Sequence, residues 1–425
     1  MSGFEGMDFG GLGDGFGFDL ARLQELLSWR EGPVNWPLAK ETAFNIAGEP
    51  RPILGDTSAQ AAWNDAVLTA DTWLAPHTNL PSVSGPAKAL SPHEWIDLAT
   101  GPMGIARYVE PVAHGMHEAL TRGLAQEGGL GISLGDMGSH VTPITAMATG
   151  IQVGQIAGRL ATQLVGAWDL SMPTMAVDTV AIIGGVATEI AQTNGLDPRE
   201  VEFVVALREC AHRRLYTGVP WLLDHLTSEL HAYGNAAQFN IEALMAGFGD
   251  ISAMNPELFN DPEAMRRMSE QAGAVHDQRS PEQEAVQERL QTLVTLINGY
   301  TDVLIRRAGT GRLPNLDVIL DVFAERANEP GAGERIMVNL LGLDLHPEDL
   351  SQGSAFCDAV ERARGAAGLD RVWSDAEHLP SRGEVMNPRR WLLRVAGEDA
   401  AMGTEAELPE VDFEVPEDLS GLDNL

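Results

Sequence analysis

The sequence predicts a mainly α-helical protein with few short strands, and three observations support that prediction. Apolar residues recur at helical spacing over long segments, most clearly at 199–216 and 280–309. Residues that favour helix starts stand before such segments, as Ser280 does before Pro281. The segment "TMAVDTVAIIGGV" at 174–186 is apolar and β-branched, and its periodicity does not decide between a buried strand and the start of a helix.

The remaining helices are predicted from the same signals in chain order. A short amphipathic helix is expected at 19–29, and Asn35 should cap a helix that has Pro37 in its first turn. Further helices are expected at 57–73, 92–126, 221–246, 315–327, 334–341 and 351–366, with a loop at 76–85.

Gly150, Gly154 and Gly158 lie four residues apart in "TGIQVGQIAGRLATQLVG". On a helix this spacing puts three glycines on one face, where another helix can pack closely. We interpret them as a packing signal.

The composition divides the chain into three parts. Residues 1–19 form a Gly-rich leader that we expect to be flexible, and residues 20–396 form one mostly helical domain. Residues 397–425 carry ten acidic residues without Lys or Arg and are expected to be a disordered acidic tail.

The net charge of −33 excludes nucleic acids and anionic membranes as expected partners. Two cysteines, Cys210 and Cys357, are too few for a secreted disulfide scaffold. The N-terminus has no signal-peptide pattern, and no segment is apolar enough for a confident membrane span. These features predict a cytoplasmic protein.

The segment "VVALRECAHRRLYTGVPWLLDHL" at 204–226 holds the candidate chemistry. A zincin helix carries H-E-x-x-H, so that two imidazoles one turn apart bind one Zn²⁺ and the Glu accepts a proton from the zinc-bound water. Here Glu209 and His212 keep their relative positions, and Arg208 stands at the first His. An E-x-x-H pattern alone is weak, because it arises by chance in a chain of this length.

Several segments together resemble an actinobacterial family of zincin-like proteins described as hydrolases or zinc-dependent metalloproteases. They are "GPVNW", "GQIAGRLATQLVGAWDLSMP", "ALRECAHRRLYTGVPWLLDHL", "LVTLINGYTDVLI", "LLGLDLHPEDLSQGSAFCDAV" and "VWSDAEHLPSRGEVMNPRRWLLRV". Family members with an intact site have H-E-x-x-H and then E-G-Y-A-D-H-V on a second helix. The resemblance therefore implies a zincin-like helical fold, with Glu209 as general base and with His212 and Asp302 in the metal site.

This chain departs from the family pattern at three positions. Arg208 replaces the first His, Asn298 replaces the Glu of the second helix, and Val303 replaces its His. Arginine has no lone pair for a metal and adds a fixed positive charge, and the amide of Asn298 is a weak neutral ligand. We expect the zinc site to be lost and the Arg208 guanidinium to fill its space, paired with Glu209 or Asp302.

Two functions therefore compete. The first is a non-catalytic binding or scaffold protein, a pseudoenzyme without a cofactor, whose unknown partner is a protein or peptide. The alternative is an active metallopeptidase or hydrolase that uses Glu209 as general base and holds zinc in a rearranged site around His212. In either case the cleft between the two key helices is the expected binding site.

Other candidate residues are weaker. His114 and His117 lie one helical turn apart with Glu118 adjacent, but the order H-x-x-H-E matches neither the zincin nor the inverzincin pattern. His225 and His231 follow the helix predicted at 199–216 and are candidates for a rearranged metal site with His212. A Cys210–His212 nucleophile pair is conceivable, but residues two apart on a helix face different directions, so Cys210 is interpreted as a small buried hydrophobe.

Overall fold

The computed structural model describes residues 28–49, 57–126, 134–238, 280–328, 341, 343 and 347–401. Across these residues the chain forms thirteen α-helices and two short strands, which confirms the predicted mainly α fold. The leader at 1–19, almost all of the helices predicted at 19–29 and 334–341, and residues 402–425 of the acidic tail lie outside the described residues.

The first half of the chain contains both strands and six helices. In order they are α1 (Trp36–Ala47), α2 (Thr57–Leu74), β1 (Ala87–Leu90), α3 (Pro92–Ala99), α4 (Ala106–Gln126), α5 (Leu134–Leu160), β2 (Val180–Ile183) and α6 (Val186–Asn194).

The second half is helical where it is described. Its elements are α7 (Pro198–Gly218), α8 (Leu222–Asn235), α9 (Pro281–Gly309), α10 (Leu316–Asn328), α11 (Pro347–Val372), α12 (Arg382–Met386) and α13 (Pro388–Ala401). The helix predicted at 92–126 is two helices, α3 and α4, because the chain turns at 100–105.

The predicted helix caps form. The Asn35 side chain accepts a hydrogen bond from the Leu38 amide at 3.1 Å, and Ser280 accepts one from the Gln283 amide at 3.0 Å. In both helices a proline stands in the first turn, where the missing N–H costs nothing. These caps fix where α1 and α9 begin.

The three spaced glycines pack α5 against α1, as predicted. A Cβ atom at Gly154 would lie 2.4 Å from the carbonyl oxygen of Ala39, and one at Gly158 would lie 2.6 Å from that of Ala43. Only glycine leaves room for two helix backbones at this separation.

The segment that the sequence left open contains a strand followed by a helix. β2 pairs with β1 in parallel, with Ala87 opposite Val180 and Leu90 opposite Ile183. Gly166 forms an antiparallel bridge to Ile182 on the other side of β2. The chain just after α5 is therefore held against this small sheet.

Helices α7 and α9 run through the centre of the molecule. α7 packs against α2, α6 and α9, and α9 packs against α8 and α11. The fully buried Arg214 of α7 donates to both carboxylate oxygens of Asp71 on α2, at 2.8 and 3.0 Å, and to the carbonyl of Leu80 at 2.9 Å. Among the described helices none is long and apolar enough to cross a membrane.

Candidate functional site

The candidate site is organised around residues 165–171, which we call the 165–171 turn. It joins α5 to the loop before β2, and its Val165 carbonyl accepts a hydrogen bond from the Ile183 amide at 2.8 Å. Ser171 at its end has φ of 58°, the left-handed region that a residue with a side chain adopts at a cost of about 1–3 kcal/mol. Such a conformation persists only where its surroundings hold it.

Glu209, the expected general base, lies inside the protein with 1% of its surface exposed. Its carboxyl oxygens accept hydrogen bonds from the main-chain amides of Trp168 at 2.9 Å and Ala181 at 2.8 Å. Burial raises the pKa of Glu209 to about 8, and these amides partly offset that rise. Glu209 therefore joins the 165–171 turn to β2.

A glycine makes room for this carboxyl group. A Cβ atom at Gly166 would lie 2.3 Å from Oε1 of Glu209. Any other residue at this position would push the carboxyl group away from the amides that it binds.

His212 is also buried, at 2% exposure, and its ring stacks on Trp168 with centroids 5.9 Å apart. Its Nδ1 lies 2.8 Å from the Arg208 carbonyl oxygen, which can only accept, so Nδ1 carries the hydrogen and Nε2 carries the lone pair. Nε2 is buried and makes no hydrogen bond. Burial lowers the pKa of His212 to about 3, so the ring is neutral.

Arg208 contacts the 165–171 turn and not the predicted partners. Its Nη1 atom lies 3.3 Å from Oδ1 of Asp169, and the two side chains are 21% and 13% exposed. The guanidinium carbon lies 4.8 Å from the centroid of the Phe323 ring on α10, a cation–π contact. The expected pairing with Glu209 or Asp302 is therefore corrected to Asp169. Glu209 is bound by main-chain amides of the turn and of β2, and Asp302 is bound by Arg306 and Ser354.

Asn298, which stands where the family pattern has a glutamate, reaches the same turn from α9. Its Oδ1 accepts a hydrogen bond from the Ser171 hydroxyl at 2.5 Å, and its Nδ2 donates to the Val294 carbonyl at 3.0 Å. The Tyr216 hydroxyl of α7 donates to the Ser171 carbonyl at 2.9 Å. The hydroxyl and the carbonyl of Ser171 are thus each held by a side chain, one from each central helix.

Asp302 makes different contacts. It accepts hydrogen bonds from Arg306 at 3.0 Å and from Ser354 of α11 at 3.1 Å. Cys210 is fully buried, and its thiol donates to the Val67 carbonyl at 3.6 Å, which agrees with a core role.

The other candidate histidines lie along α4 and α8. His114 Nδ1 donates to the Glu110 carbonyl at 2.9 Å, while His231 Nε2 lies 3.9 Å from Glu118. His225 packs edge-on against the Trp221 ring. His117 lies on the same helix as His114, and its main-chain carbonyl accepts from Thr121.

A groove of about 460 Å³ opens between α4 and α8. It is lined by Arg107, Glu110, Pro111, His114, Glu118, Asp224, Thr227, Ser228 and His231. Arg208, Glu209 and His212 do not line this groove, so its location differs from the cleft expected between the two key helices.

The family pattern implies zinc, and the residues at the site do not fit it. His212 Nε2 is the one free imidazole nitrogen there, Arg208 is a cation, and the Asn298 oxygen is already bound by Ser171. A catalytic zinc needs three protein ligands. Among the residues that the structure describes, no three His, Cys, Asp or Glu side chains are grouped to hold a metal ion.

Sequence reasoning missed the 165–171 turn as a structural centre. Asp169 was visible as an acidic residue in a segment typical of the family, but its contact with Arg208 spans 39 positions. No local pattern predicts a contact at that separation.

Comparison with known families decides the affiliation. The sequence model of the zincin-like metallopeptidase family matches residues 34–392. The chain belongs to this family. The match runs from α1 to the first turn of α13 and includes every residue of the candidate site.

A solved structure shares the fold. It is described as a "putative hydrolase with a novel fold" from Chloroflexus aurantiacus, with a TM-score of 0.57 and 21% identity. The alignment covers 85% of this chain and 98% of that one. At this identity the similarity shows a shared fold alone. A search of curated proteins found no match.

Proposed function

We propose that this zincin-like protein is a non-catalytic member of its family that acts by binding a protein or peptide partner. The observation that carries the proposal is the position of Glu209. A general base must reach the water or substrate from which it takes a proton. Glu209 is buried, and its two oxygens bind the main-chain amides of Trp168 and Ala181.

The replaced ligand positions support the same proposal. Arg208 puts a permanent positive charge near the His212 ring, where it helps to lower the pKa of that ring, and such a charge opposes the binding of a dication. The side-chain oxygen of Asn298 already accepts a hydrogen bond from the Ser171 hydroxyl. The replaced zinc ligands and the buried Glu209 thus both support a non-catalytic function.

The partner is expected to present basic side chains. The net charge of −33 attracts cationic segments and repels acidic ones. The groove between α4 and α8 has the volume for one or two such side chains and includes Glu110, Glu118 and Asp224 in its lining. The cytoplasmic location remains a prediction from the sequence.

The alternative function is an active hydrolase with Glu209 as base and zinc on His212. One observation favours it, the free lone pair of His212 Nε2, which has the tautomer of a zinc ligand. The two functions differ in a quantity that can be measured directly, the zinc content of the protein.

The test is the amount of zinc per chain, measured by mass spectrometry on protein purified without a histidine tag or chelator. His212→Ala is measured alongside, and the double variant Arg208→His with Asn298→Glu is the positive control, because it supplies the missing donors. We expect zinc in the positive control alone, together with no cleavage of a mixed peptide library by the wild type. Zinc near one per chain in the wild type, lost in His212→Ala, would favour the hydrolase.

A further inference from the structure

The two positions where this chain departs from the metal-binding pattern contact the same turn. Arg208 of α7 binds Asp169, and Asn298 of α9 binds Ser171, two residues further along. In the family pattern these two positions supply metal ligands, so the metal joins α7 to α9. Here the 165–171 turn lies between the same two positions.

We propose that the 165–171 turn replaces the metal as the connection between α7 and α9, through the Arg208–Asp169 ion pair and the Asn298–Ser171 hydrogen bond. This inference rests on the proposed absence of zinc. It adds a role for Asp169 and Ser171 and a reason for the residue types at 208 and 298.

The geometry of the turn suits this role. The other carboxylate oxygen of Asp169 accepts from the Val165 amide at 2.5 Å, which closes the turn on itself. Glu209 holds the Trp168 amide and Tyr216 holds the Ser171 carbonyl. A turn that is held at its start, middle and end can keep the two helices in fixed relative positions.

The charge at the site is also balanced without a metal. The Arg208 guanidinium is the cation, Asp169 is its counter-ion, and the Phe323 ring covers the guanidinium. An arginine that lacked Asp169 would leave a largely buried cation without a partner, which is strongly unfavourable. Positions 208 and 169 should therefore depend on each other energetically.

Two double-mutant cycles test the connection in the full-length chain. The first combines Arg208→Met with Asp169→Asn, and the second combines Asn298→Ala with Ser171→Ala, which keeps the Cβ and hence the backbone strain. Each single variant should lower Tm by roughly 2–4 °C. Each double variant should lower Tm no further than its worse single variant, because the second substitution removes nothing that remains.

The matched control is the exposed pair of Lys40 and Asp97, whose side chains are 43% and 52% exposed. Lys40→Met and Asp97→Asn should each change Tm by less than about 1 °C and should combine additively. Arg208→Lys provides a milder variant if Arg208→Met does not fold, and its Tm loss should likewise vanish when Asp169 is already Asn.

All Tm values are measured with excess chelator and again with added zinc. Coupled cycles and no response of the wild type to zinc support the inference. Additive cycles without a zinc response would overturn the inference and leave the proposed function standing. A rise in the wild-type Tm with zinc would overturn both.

Discussion

The clearest test of the role of Glu209 is its replacement by alanine and, separately, by glutamine. Alanine removes both acceptors, so the buried amides of Trp168 and Ala181 lose their partners. A buried N–H without a partner costs about 1–3 kcal/mol, so we expect Glu209→Ala to lower the free energy of unfolding by about 2–6 kcal/mol. Glutamine keeps one acceptor oxygen and sets an NH₂ against one amide, so about 1–3 kcal/mol should be lost.

The measurement is urea denaturation followed by circular dichroism, with the free energy of unfolding extrapolated to water. Glu189→Gln on the exposed surface of α6 is the control and should stay within about 0.5 kcal/mol of the wild type. If Glu209→Ala also stays within that margin, Glu209 does not hold the turn. A fully stable Glu209→Gln variant that loses a peptidase activity would instead restore Glu209 as a general base.

Three further predictions concern the pH dependence of stability, the Arg214–Asp71 ion pair and the packing of α5 on α1. Burial raises the pKa of Glu209 to about 8, so between pH 4.5 and 8 the folded state holds a proton that the unfolded chain has released, and stability falls as pH rises, by up to about 1.4 kcal/mol per pH unit. Burial lowers the pKa of His212 to about 3, so the free energy of unfolding falls as pH drops from 6.5 to 3. Both effects are measured by urea denaturation at a series of pH values. Glu209→Gln should remove only the loss of stability towards high pH, and His212→Gln only the loss towards low pH. Arg214→Met removes the hydrogen-bonded partner of Asp71, leaves it with Arg213 at 3.8 Å as its buried cation, and should cost about 3–5 kcal/mol. An equal loss for the double variant with Asp71→Asn would show the pairing, and an unchanged urea midpoint would contradict it. Gly154→Val pushes α5 away from α1 and should lower Tm by several degrees in calorimetry, whereas a neutral result would show that the helices can separate at no cost.

The sequence predicted the features whose causes are local. The Asn35 and Ser280 caps lie within three residues of the amides that they bind, and the glycine spacing on α5 is a property of one helix. Capping chemistry and helical periodicity are enough for such features. The mainly α class follows from them, since most of the chain carries these signals.

The features that were not predicted depend on contacts between distant parts of the chain. β1 ends at Leu90 and β2 begins at Val180, so nothing local indicates that they pair. Glu209 and Asp302 were the expected partners of Arg208, but the fold brings Asp169 to it instead. Likewise, Glu209 stands at the position of the general base in the motif, but the sequence does not show that Gly166 and β2 enclose its carboxyl group.

The order in which the chain is synthesised gives the 165–171 turn a further consequence. The side chains that hold Trp168 and Ser171 come from Glu209, Tyr216 and Asn298, all later in the sequence. A nascent chain released before α9 would lack the Asn298 contact, so nothing from that helix would offset the left-handed backbone at Ser171. The full set of contacts at the turn therefore exists only once α9 has been made, and we expect a chain that ends before α9 to be cut more readily by a protease near Ser171 than the complete chain.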